Sequence, residues 1–200
     1  MELDRNIGKP MINRIIFFFL ICGLCFQTQA TEKDSPSESL KAFIGLSGGN
    51  SMIARDGTLW MSIKGGVRVH PRIQTGLFVS TIVSDVKNPY KKATSQYIDY
   101  NALGAFAEFY LLEKNLFSLS IPVSIGGGLI NIMEQNVEHS SAEDGFFMGE
   151  AGLSFNYQLT RVLNVSIGGG YRLFLHVDNN KLDNNDFNSL YGELTFRWTE

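Results

Sequence analysis

From Leu40 to Thr199, apolar residues recur at every second position, and no stretch of useful length carries a helical period. A period of two places successive side chains on opposite faces of an extended chain, so the pattern restricts this region to β-strands with one apolar face. The last segment is the clearest. Leu190, Gly192, Leu194, Phe196 and Trp198 share one face, and Tyr191, Glu193, Thr195 and Arg197 share the other. Eight segments of this kind are legible, separated by clusters of Gly, Asn, Asp, Pro and Lys. They run from Leu40 to Gly48, Thr58 to Val69, Ile73 to Asp85, Gln96 to Leu112, Leu116 to Met133, Phe146 to Gln158, Val162 to Val177 and Ser189 to Thr199.

The connections alternate in length, which predicts an up-and-down order. His70-Pro71-Arg72, Glu113-Lys114-Asn115 and Leu159-Thr160-Arg161 have room only for tight hairpins. Longer polar connections run from Gly49 to Gly57, Val86 to Ser95, Glu134 to Gly145 and Asp178 to Asn188. Short turns on one rim and longer loops on the other predict an all-β fold, an eight-stranded antiparallel up-and-down transmembrane β-barrel over residues 40–200.

The polar face decides which way such a barrel is turned. A water-soluble barrel would solvate that face with Lys, Glu and Thr, whereas Gly, Ser and a few charges occupy it here. Small residues suit the cramped interior of eight strands, so the apolar face is expected to point outward. The runs Gly126-Gly127-Gly128 and Gly168-Gly169-Gly170 fit a sharply curved wall, and neither has the Lys or the following helix of a phosphate-cradling loop. The same parity puts Phe109, Phe117, Tyr157 and Trp198 outward near the short-turn rim, with Tyr97 and Phe147 at the opposite rim, as interfacial aromatics would be. It puts Lys64, Arg68, Arg172 and Arg197 inside with Glu108, Glu150 and Glu193. Charges confined in so narrow a space must pair, and a structural plug of ion pairs is expected rather than a gated conduction path.

Upstream, Arg14, the apolar run Ile15 to Phe26 and the small-residue end Gln27-Thr28-Gln29-Ala30 form the three zones of a secretory signal peptide. Its 12 apolar residues fall short of the roughly 20 that a spanning helix needs. Residues 1–30 are therefore expected to be removed after Ala30, with Met11 as an alternative start, and residues 31–39 to form a short polar tail. Cys22 and Cys25 both fall in the signal segment, and neither follows the small residue usual before an acylated cysteine. The net charge of -3 and the dispersed Lys and Arg residues offer no stripe for nucleic acid.

In these features the chain resembles the small eight-stranded outer-membrane barrels, namely the OmpA transmembrane domain, OmpX and the opacity-type surface proteins. The most specific local likeness is Tyr191-Gly192-Glu193-Leu194-Thr195-Phe196-Arg197-Trp198, in which Leu194, Phe196 and Trp198 resemble the C-terminal signal read by the barrel-assembly machinery. Here Thr199 and Glu200 follow the aromatic, whereas the usual signal ends on it. The resemblance implies a monomer embedded in outer-membrane lipid and lipopolysaccharide after export, with no cofactor and a structural or surface role.

An enzymatic alternative comes from the eight-stranded lipid A deacylases. His176 and Asn179 match their signature, but Asp178 stands where the nucleophilic serine belongs, and a carboxylate there offers no hydroxyl acyl acceptor. The last loop carries Asp178, Asp183 and Asp186 among asparagines, without the turn glycine and terminal Glu of a calcium loop, and is expected to be solvated rather than metal-binding. The second loop is basic through Lys87, Lys91 and Lys92, and the third acidic through Glu134, Glu138, Glu143 and Asp144, with His139 among them. Adhesion through these loops is a further alternative, although loops of about ten residues are modest presenters.

Overall fold

The computed structural model describes residues 40–84, 86–87, 96–134, 142–179 and 182–200. The signal segment, the polar tail and most of the second and third loops lie outside the described residues. In chain order the strands are β1 (Lys41–Ile53), β2 (Asp56–His70), β3 (Ile73–Ile82), β4 (Val86–Lys87), β5 (Gln96–Lys114), β6 (Phe117–Glu134), β7 (Ala142–Gln158), β8 (Leu163–Leu175), β9 (Asp178–Asn179), β10 (Leu182–Asp183) and β11 (Ser189–Thr199). Eight of these make the wall, and each pairs antiparallel with its neighbours in the order β3-β2-β1-β11-β8-β7-β6-β5. Pairing of β3 with β5 closes the ring, with Ile73 opposite Phe109 and Thr81 opposite Asn101. Closure satisfies the backbone groups that an open sheet would leave exposed at its edges.

The first long connection is corrected by the structure. The segment from Gly49 to Gly57 is not a polar loop: β1 and β2 stay in register to Ile53 opposite Asp56 and turn through Ala54 and Arg55 alone. Both turn residues have left-handed backbone, with φ of 49° and 69°, the geometry that matches a two-residue hairpin to strand twist. Alternation persists there at low hydrophobicity, since Ser51 and Ile53 are buried while Met52 faces out. β7 likewise begins at Ala142, earlier than its apolar run suggests, and β5 reaches Lys114. Irregularities in register at Val69 and Leu111 mark bulges just before two of the short turns.

Side-chain parity sorts the wall into two environments. Leu153, Ile167 and Leu194 are 54%, 65% and 44% exposed on the outer face, while Ser154, Ser166 and Thr195 are buried within. Phe78 shows why the interior uses glycine: its ring lies across the bare backbones of Gly104 and Gly126, and a Cβ on Gly104 would collide both with that ring and with the Ile125 carbonyl oxygen.

The interior differs from expectation at the loop end. There it is an apolar layer of Ile53, Ile82, Ile98, Ile130, Phe146 and Phe174 rather than small polar residues and charges. The last loop supplies the reason. β9 and β10 pair as a minimal hairpin, and residues Asn184–Phe187 form one helical turn whose Phe187 ring is fully buried 5.3 Å from that of Phe174. That loop is therefore folded rather than merely solvated.

Candidate functional site

Within the barrel the ionic residues sort into successive levels. Nearest the apolar layer, Arg172 of β8 donates from Nε to Glu150 of β7, directly opposite it in register, and from Nη1 to the Tyr100 hydroxyl at 2.7 Å. Its guanidinium lies 4.7 Å from the Trp60 ring centre, and Ser124 donates to the second Glu150 oxygen. Arg172 is only 2% exposed, so the carboxylate, the phenol and the ring face together replace the water it has lost.

Lys64 of β2 meets Glu193 of β11 at 3.0 Å over the intervening β1. Closer to the turns, Arg197 of β11 donates to Glu108 of β5 at 2.6 Å and to the Tyr110 hydroxyl at 2.7 Å. Glu108 also accepts from Gln74 and Ser120, and the chain of bonds continues through Asn156 to Ser166. A cavity of only about 20 Å³ lies between the Lys64–Glu193 and Arg197–Glu108 pairs, space for a single water.

Of the seven charged residues singled out from parity, Lys64, Glu108, Glu150, Glu193 and Arg197 line one small cavity. Six of the seven make three lumenal pairs, and Arg68 sits apart at the turn rim, half-exposed and paired with Glu113. Glu113 escapes a parity count because the bulge at Leu111 turns its side chain to the other face. Tyr100 and Tyr110 were legible in principle: they lie an even number of residues from Glu108 on the same strand, ahead of that bulge. Gln74 becomes a partner only because β3 closes against β5, with Gln74 opposite Glu108.

On the outside, Phe109, Phe117 and Trp198 are exposed near the short turns, and the Phe117 ring lies 4.9 Å from that of half-buried Tyr157. Phe147 is exposed at the other rim, where it meets the His176 ring edge-on, and Tyr97 is half-buried. Leu194, Phe196 and Trp198 all face outward on β11. His176 is exposed with φ 65°, outside the lumenal networks, and the side chains of Asp178 and Asn179 lie outside the described residues. In the last loop, Asp183 caps the helical turn by accepting from the Asn185 and Asp186 amides, while Asn188 accepts from the Phe174 amide. These polar side chains hold backbone; among the described residues no group of three or more His, Cys, Asp or Glu is arranged to hold a metal.

An up-and-down closed barrel of eight antiparallel strands is the fold of the small outer-membrane barrels. Among solved structures, Neisserial surface protein A superposes with a TM-score of 0.53 at 12% identity, over 80% of this chain and 95% of that one. A major outer membrane protein from Thermus thermophilus superposes with a TM-score of 0.55 at 8% identity, over 80% of this chain and 99% of that one. At such identities the likeness is one of fold. No family model and no curated protein matches the chain.

Proposed function

We propose that this chain is an integral outer-membrane barrel with a structural or surface role, plugged by its own ion pairs and without catalytic activity. The observation that carries this reading is the belt of exposed apolar residues around the wall. Leu77, Leu103, Ile125, Leu153, Ile167 and Leu194, from six different strands, each leave 44% to 68% of their surface uncovered. Soluble proteins rarely expose contiguous apolar patches beyond a few hundred Å², and a ring of this kind is stable only against lipid tails. The polar residues are on the inner face, the reverse of a barrel built to carry an apolar ligand through water.

The proposal extends to biogenesis and surroundings. Residues 1–30 direct export and are removed, Leu194, Phe196 and Trp198 present the assembly signal, and the folded monomer contacts phospholipid and lipopolysaccharide. Lipid A deacylation is not expected, because Asp178 replaces the serine such chemistry needs. Fractionation tests the whole reading. The protein should partition with outer membranes, begin at Thr31 by N-terminal sequencing, and migrate faster on a gel when unheated than when boiled. Recovery in the soluble periplasmic fraction, with no heat-dependent shift, would overturn it.

A further inference from the structure

The two ends of the lumen are built differently. The loop end is filled by Phe146, Phe174 and Phe187. At the turn end a cavity of about 310 Å³ remains open, bounded by the turns at Asn115 and Thr160 and floored by Tyr110 and Arg197. This is the size range of small-molecule sites.

Its lining is unbalanced in charge. The cations are Lys41, Arg68, Arg161 and Arg197, and Glu113 is the carboxylate. Glu108 beneath the floor holds Arg197, and Glu113 holds Arg68. Among the described residues Lys41 and Arg161 make no ion pair. The turns add Arg72 and Lys114 to the same rim, so the local field favours anions. Glu200 brings a carboxylate to this rim, bonded through its amide to Ala42, but does not line the cavity.

A second observation points inward. The Arg68 guanidinium lies 4.5 Å from the Tyr110 ring centre and gives one nitrogen to Glu113, yet its Nε is buried with no acceptor. That nitrogen is covered by protein, so the donor open to the cavity is Nη1, which makes no hydrogen bond among the described residues. Guanidinium forks match the oxygens of phosphate, and the excess of cations over carboxylates in the lining matches an anionic phosphate ester.

We propose that the turn-end vestibule binds a phosphate ester group, held by Arg68, Arg161 and Lys41. The group is carried either by a soluble ester or by the net anionic headgroup of a neighbouring phospholipid, which zwitterionic phosphatidylcholine lacks, and one titration separates these sources. The full barrel is inserted into nanodiscs of phosphatidylcholine alone, or of phosphatidylcholine with phosphatidylglycerol, and titrated calorimetrically with glycerol 3-phosphate. Acetate at matched ionic strength is the control.

In phosphatidylcholine discs, saturable one-to-one binding is expected, weakened at least tenfold in the double variant Lys41→Gln/Arg161→Gln and absent with acetate. Both side chains are exposed, and a heat-dependent gel shift verifies that the variant folds. Binding that vanishes in phosphatidylglycerol discs assigns the site to a lipid headgroup; binding that persists assigns it to a soluble ester. No saturable heat in phosphatidylcholine discs, equal affinity for acetate, or undiminished affinity in the double variant would overturn the proposal. The gel shift scores membrane insertion separately, so a failed titration leaves the membrane reading intact.

Discussion

Glu108 is 3% exposed and accepts from Arg197, Gln74 and Ser120, so its charge is matched by donors at both oxygens. Replacing it by Gln leaves the Arg197 guanidinium buried beside a neutral amide. Removing one member of such a pair costs about 3 to 5 kcal/mol, and Glu108→Gln should lose stability on that scale in urea titrations of the folded barrel. Arg68→Gln provides the contrast. Its pair with Glu113 is solvated at the rim, where exposed ion pairs are worth about 1 kcal/mol or less, so the loss should be small. Outside the wall the sign of the environment reverses: Leu194→Arg should cost about 2 to 4 kcal/mol if Leu194 meets acyl chains near the midplane. A change near zero there would mean that the outer face meets water.

The last loop and the first hairpin act together as one element. Asp183 caps the helical turn, the Ala54 amide donates to the Asp186 carbonyl at 2.6 Å, and the Met52 amide donates to the Ser189 hydroxyl. Phe187 is thereby held in the apolar layer. Phe187→Ala should cost about 3 to 5 kcal/mol, because the lost ring leaves a cavity among Phe174 and its neighbours, whereas Asp183→Ala should cost about 1 kcal/mol as a lost cap. The hairpin itself can be improved. Arg55 is an exposed non-glycine residue at φ 69°, and Arg55→Gly relieves a left-handed strain of about 1 to 2 kcal/mol, offset in part by the greater freedom of glycine in the unfolded chain. A net gain of about 0.5 to 1 kcal/mol is expected in the same titrations.

At the scale of the whole barrel, the proposed plug is a stack of levels along the lumen. Between the apolar layer and the turn-end vestibule lie three ion pairs and a void of about 20 Å³. The purified protein in a planar bilayer should therefore show no stable, large single-channel conductance. Such conductance would mean that the ion pairs open together, and the plug reading would fall.

Alternation of apolar residues was enough to determine the strand count, the up-and-down order and the sidedness of segments such as Ser189 to Thr199, because a one-residue slip would exchange their two faces entirely. It was also enough to turn Lys64, Glu108, Glu150, Arg172, Glu193 and Arg197 toward the lumen. Alternation carries no information about height along the barrel axis, so which cation meets which carboxylate was decided by register and closure, as when β8 sets Arg172 opposite Glu150. It fails where backbone irregularity changes the parity, as at the bulge that brings Glu113 to Arg68. Polar composition also misrepresents segments whose side chains bond backbone instead of water. Gly49 to Gly57 and Asp178 to Asn188 resemble loops by composition, yet strand pairing extends through the first, and tertiary contacts with the lumen fold the second over the barrel mouth.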